Sequence, residues 1–143
     1  MSAPQKIADK VYWSFFEYYD TKEEFEKDFI AYNKEMAEFS SSSKKIPFEL
    51  DDIVFDEQKM VVQFILRDER EQYDKQILLE TTNPEGFTMS EMMYQINNKT
   101  IKDNEEGYDL SEQDMHFFEG LEYLTDDDPD YPQTKVYFMV LGS

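Results

Sequence analysis

One stretch of this chain has a clear helical period, and it limits what the rest can be. In "TKEEFEKDFIAYNKEMAEF", Phe25, Phe29, Tyr32, Met36 and Phe39 recur at steps of three and four, with charges between them. That spacing places all five on one face of a helix ending near Phe39. Asp20 or Thr21 stands at its start as a cap, and Thr21 with Glu24 has the spacing of a capping box. A helix with a single apolar face must bury it against another element.

The flanking sequence indicates a sheet. "KVYWSFFEYY", from Lys10 to Tyr19, is β-branched and aromatic and reads as a strand. After the serine-rich loop "SSSSKK" comes a β-meander with strand-like runs at Ile53–Phe55, Met60–Arg67 and Gln76–Glu80. Asp56–Lys59 and Asp68–Asp74 are its polar turns. Val62, Phe64 and Leu66 alternate on one face, and Val61 and Ile65 share the other with Gln63 and Arg67. "NPEG" (Asn83 to Gly86) is a turn. Thr88 and Glu91 repeat the capping-box spacing and start a short helix, "SEMMYQINNKTI". Two last strands, "HFFEGLEYL" and "KVYFMVLG", flank the loop "TDDDPDYPQT". The expected fold is α+β: a mainly antiparallel sheet of five to six strands, with one long and one short helix packed on it. A length of 143 residues fits one domain, 1–143.

Composition narrows the chemistry. Aromatic residues make up 16% of the chain, which argues for a packed core despite 33% charged residues. Lys plus Arg is 14 against 33 Asp plus Glu, a net charge of −19. Such a chain repels nucleic acid and anionic lipid and attracts basic protein surfaces. The longest apolar run, "VYFMVLG", is far short of the ~20 residues of a membrane helix. The N-terminus lacks an apolar core of signal-peptide length. With no cysteine as well, the expectation is a cytoplasmic protein with no nucleic-acid or membrane partner.

Catalytic and metal-binding patterns are sparse. Without cysteine, a serine or threonine nucleophile would depend on the single histidine, His116. His116 opens an aromatic strand-like run, so it reads as a structural histidine whose ring nitrogens meet neighbouring polar groups. No G-x-S-x-G elbow and no glycine-rich phosphate cradle is present. Asp126, Asp128 and Asp130 have the 1, 3, 5 spacing of an EF-hand loop. The pattern then fails: Tyr131 stands where glycine makes the sharp turn, and Tyr137 where a bidentate glutamate is needed. The expectation is therefore no catalytic residue, no metal and no cofactor.

Acidity is concentrated near the C-terminal end. Between Ile101 and Tyr131 lie Asp103, Glu105, Glu106, Asp109, Glu112, Asp114, Glu119, Glu122, Asp126, Asp127, Asp128 and Asp130, against Lys102 alone. Tyr108, Tyr123 and Tyr131 are interleaved with them. Tyrosine offers apolar area with one hydrogen-bonding end, which suits an interface. The candidate partner-binding residues are Asp126, Asp127, Asp128, Asp130, Tyr131 and Tyr123, supported by Glu105, Glu106 and Asp109. The ending "HFFEGLEYL…VYFMVLGS", with the acidity and lack of cysteine, resembles small acidic bacterial proteins, immunity proteins of toxin–immunity pairs among them. The resemblance implies a cytosolic protein that binds and blocks a toxin; it carries no residue assignment. The functional expectation is a non-enzymatic inhibitor that occludes a basic partner, such as a nuclease toxin, by charge and shape. The alternatives are a regulatory or scaffold module that docks through an apolar surface, or a small enzyme using His116.

Overall fold

The computed structural model describes residues 4–40, 46, 48–67, 72–101, 110 and 116–142. The elements run β1 (Lys6–Ile7), β2 (Trp13–Ser14), α1 (Lys22–Ser40), β3 (Ile53–Phe55), β4 (Lys59–Arg67) and β5 (Gln72–Glu80). β6 (Phe87–Thr88), α2 (Met89–Thr100), β7 (Phe117–Asp128) and β8 (Tyr131–Gly142) complete the chain. The main sheet has the order β1-β7-β8-β4-β5, with β2 also paired to β7. Its pairings are antiparallel except that of β4 with β8, which is parallel. This is the expected α+β arrangement, with two helices on a mostly antiparallel sheet.

Both helices start on the threonines that the sequence marks. Thr21 Oγ1 accepts from the Glu24 amide at 3.2 Å, and Thr88 Oγ1 accepts from the Glu91 amide at 3.1 Å. Each bond satisfies one donor that a first helical turn leaves open. "NPEG" turns as expected: the Gly86 amide donates to Asn83 O, and the Glu85 amide to Asn83 Oδ1, both at 3.0 Å. Gly86 has a φ of 113°, and a Cβ there would come within 2.0 Å of Phe55 O. Only glycine fits so close to a backbone at that angle.

The buried line of α1 is not the one its apolar residues trace. Phe25 and Phe29 are fully buried, but Phe39 is 81% exposed. The inner line continues instead through Asn33 and Ala37 at four-residue steps. Asn33 belongs inside because it holds the chain entering the sheet. Its Oδ1 accepts from the Tyr12 amide, and its Nδ2 donates to Tyr12 O and Phe29 O, all at 2.8 Å.

The same chemistry corrects the strand expected from Lys10 to Tyr19. Only Trp13–Ser14 pairs with β7. Much of the remaining backbone bonding goes to side-chain amides rather than to a ladder. Asn97 Nδ2 donates to Glu17 O at 2.9 Å. Asn98 donates to Tyr19 O at 2.8 Å and accepts from the Tyr19 amide at 3.1 Å. Asn97 Oδ1 also accepts the indole N–H of Trp13 at 3.0 Å. Buried backbone groups must find partners, and here asparagines of both helices supply them.

A second correction concerns the meander. β3 does not join β4; it pairs with β6 in a separate two-stranded sheet. β4 pairs with β5 over its full length, and β5 starts at Gln72, inside the expected turn. Met60, Val62 and Phe64 of β4 face the helices and are fully buried. They meet Ile77, Leu79, Leu121, Tyr137 and Met139 in one core cluster. Val61, Gln63 and Ile65 point to the opposite, outer face, as the alternation requires.

Candidate protein-binding surface

The aspartates that read as a loop are largely strand. β7 runs through Asp128 and β8 starts at Tyr131, so only Pro129 and Asp130 remain as the turn. Asp128 pairs with Tyr131 and Asp127 with Pro132. Asp128 Oδ1 accepts from the Asp130 amide at 2.8 Å, which braces the turn from within.

This hairpin does not project straight out of the sheet. Asp128 Oδ2 accepts a 2.6 Å hydrogen bond from Gln76 Nε2. Gln76 lies opposite Gln63, whose partner on β8 is Phe138. Asp128 lies opposite Tyr131, seven residues further along β8. In a straight sheet that offset is ~23 Å. The bond closes only if the end of the hairpin bends back over the outer face. The means of bending are present. The β7–β8 register shifts between Tyr123 and Thr125 and again between Thr125 and Asp127, and Gln133 adopts a φ of 61°. Bulges of this kind bend a strand and tighten its twist. Val61 and Val136, register partners on the outer face, are fully buried.

The arm's charge is mostly uncompensated within its own strands. Asp126 and Asp130 are exposed, while Asp128 and Tyr131 are half-buried. The one basic residue of β7 and β8 is Lys135, which is ion-paired with Glu57. That hydrogen bond to Glu57 pushes the Lys135 ammonium above its ordinary pKa, and the neighbouring Asp126 and Asp56 act in the same direction.

Tyr123 is placed differently from the other candidates. It is half-buried against the core, edge-on to Tyr137 with centroids 5.8 Å apart. Asp127 is part of β7. Glu105, Glu106 and Asp109 lie outside the described residues. The structure therefore gathers Asp126, Asp128, Asp130 and Tyr131 on one arm and turns Tyr123 inward beneath its base.

His116 sits at the other end of β7. It is half-buried, with its ring 5.8 Å from Phe16 and 4.7 Å from Phe117. Its carbonyl accepts from the Phe15 amide at 3.0 Å. Its Nδ1 is buried and meets no hydrogen-bond partner among the described residues, unlike the satisfied ring expected from the sequence. The hydroxyl of Ser14, on the strand paired to β7, is in the same condition, so the two groups are not bonded to each other.

Sequence reasoning missed the bend because its anchor, Gln76, is an ordinary polar residue of a strand. The register shifts and the Gln76–Asp128 bond are long-range facts with no local signature. Among the described residues, no helix is long and apolar enough to cross a membrane. No family model, curated protein or solved structure matches this chain, so its fold and surface stand on their own geometry.

Proposed function

We propose that this chain is a non-enzymatic binding protein, of the inhibitor or immunity type, that engages a basic protein through the β7–β8 arm. The observation that carries this reading is the bond from Gln76 to Asp128, which holds an acidic hairpin end in a defined place. A surface ordered before binding loses less entropy on association than a free loop does. Asp126, Asp128 and Asp130 would meet lysines or arginines, and Tyr131 would add apolar area. Asp127 shares the arm, and Glu105, Glu106 and Asp109 extend the same charge in sequence. The net charge of −19 would speed encounter with such a partner. A cytoplasmic setting, away from nucleic acid and lipid, goes with this reading.

The test is a pull-down from the source cell's lysate at low and at high salt, comparing the wild type with a variant carrying Asn at 126, 127, 128 and 130. The expected result is a basic protein retained by the wild type at low salt and lost from the variant. Exposed charges are screened once the Debye length falls to ~8 Å, so retention should fade as salt rises. A partner held equally by both proteins at both salts would sink the acidic-arm reading and favour docking through an apolar surface.

A further inference from the structure

The main sheet ends on a long, regular strand. β5 is last in the order β1-β7-β8-β4-β5 and pairs with β4 over all nine of its residues. That register has no bulge, and β5 has no proline. The opposite edge is divided between β1 and β2, of two residues each. Which backbone groups of β5 point away from β4 follows from the bond that continues the ladder. The Thr81 amide donates to Gln58 O at 3.0 Å, so Thr81 is turned toward the β4 side. Along an antiparallel strand, successive residues alternate between facing the neighbour and facing away from it. Leu79, Ile77 and Lys75 therefore face β4, and Glu80, Leu78, Gln76 and Asp74 direct their N–H and C=O groups outward.

At one end of this row a side chain already imitates a partner strand. Gln95 of α2 lays its carboxamide against Glu80: its Oε1 accepts from the Glu80 amide at 3.2 Å, and its Nε2 donates to Glu80 O at 2.8 Å. Those are the two bonds that a facing residue of an added antiparallel strand would exchange with Glu80. Further along, the outward backbone groups of Leu78, Gln76 and Asp74 have no protein partner among the described residues. Edge strands are commonly blunted by a bulge, a proline or a cover of chain, because such a row is a template for pairing. Charge indicates what would pair here. Asp74 is exposed, and Gln76 holds Asp128, so the end of the acidic arm lies beside this edge. Leu78 is half-buried and offers apolar area in the same row.

We propose that an extended, basic segment of a protein partner adds to β5 as a further strand. It bonds the backbone of Asp74, Gln76 and Leu78 and sets lysines or arginines against Asp74 and the arm. In this mode main-chain bonds give affinity and alternate side chains give specificity. A second copy of this chain fits the edge less well, because each copy carries −19 and would bring its own Asp74 and arm to the contact. The proposal rests on the acidic-arm reading for the sign of the partner's charge, and it adds a backbone contact that charge alone does not require.

The experiment titrates the full chain, isotope-labelled for NMR, with a heptapeptide of alternating lysine and valine blocked at both ends. A saturable response is expected, with a dissociation constant of about 1 mM or tighter. The amides of Asp74, Gln76 and Leu78 should shift and exchange more slowly. The same peptide N-methylated at alternate residues keeps its charge and loses its donors, and it should bind about tenfold more weakly. Leu78→Pro should weaken the unmodified peptide by a similar factor, since it removes an outward N–H and leaves the β4 ladder and the charge intact. The methylated peptide makes that comparison without touching the fold. Equal binding of the methylated peptide overturns the added strand and leaves the acidic arm in force. Equal binding of the unmodified peptide by the variant with Asn at 126, 127, 128 and 130 sinks the arm reading and keeps the added strand. Equal binding of a heptapeptide of alternating glutamate and valine, or no saturable response, overturns the proposal. So does slow exchange at those three amides in a peptide-free dimer, which would assign the edge to a second copy.

Discussion

The two faces of the main sheet are covered in different ways. On the inner face, α1 and α2 bring fully buried rings and methionines, and asparagines of both helices tie down the entering chain. On the outer face, the sheet is covered in part by its own hairpin, whose end is held by a side-chain bond from Gln76. The inner cover is apolar, extensive and cooperative. The outer cover is acidic and local. The difference is a division of labour in which the inner face supplies the stability and the outer arm carries exposed charge.

The strongest challenge to that division is a cavity on the inner face. Phe29 is fully buried, with ring centroids 5.3 Å from Phe25 and 5.5 Å from both Trp13 and Phe48. Phe29→Ala should cost about 3–5 kcal/mol, read from urea unfolding. A loss below ~1 kcal/mol would mean that the inner face is not the source of stability.

Alkaline pH probes the same face more gently. Tyr19 and Tyr137 have phenols pushed well up, chiefly by burial, and Tyr32 and Tyr94 shift the same way. In the unfolded chain these groups ionise near pH ~10. A raised folded pKa stabilises the fold fully below that pH, and the contribution is lost as pH rises above it. Stability should therefore decline above pH ~10, by up to ~1.4 kcal/mol per pH unit for each phenol. Tyr137 also donates to Pro4 O at 2.7 Å. Tyr137→Phe should remove its share of the slope. An unchanged slope in that variant would show that the Tyr137 phenol ionises alike in both states.

The smallest expected effect lies on the outer face. Gln76→Ala removes the donor to Asp128 and leaves every charge in place. The bond is only part-buried, so the loss should be about 1 kcal/mol or less. The methyl resonances of Val61 and Val136 should shift as the arm lifts. Unshifted methyls would show that the arm is held by something other than Gln76, and the contrast between the faces would lose its basis.

Legibility in the sequence follows a physical line. Features set within a few residues could be read: both threonine caps, the Asn83–Gly86 turn, the alternation along β4 and the apolar start of α1. Features set by distant partners could not. Asn33, Asn97 and Asn98 look like helix-surface residues, yet they bond the backbone of residues 12–19 and prevent a continuous strand there. Phe39 fits the apolar period of α1, yet it is 81% exposed. Of the candidate contacts, the aspartates were visible by composition, but nothing local showed that Asp128 would reach Gln76 while Tyr123 turned inward.

By itself the sequence determined the class of the fold, the helix starts and the excess of negative charge, because periodicity, capping and charge depend on near neighbours and on totals. The tertiary structure decided where that charge sits, which asparagines hold the chain around β2, and which strand leaves the meander for a second sheet. Those outcomes depend on hydrogen bonds that span much of the chain. Many registers satisfy the local pattern equally well, and only packing of the whole molecule selects among them.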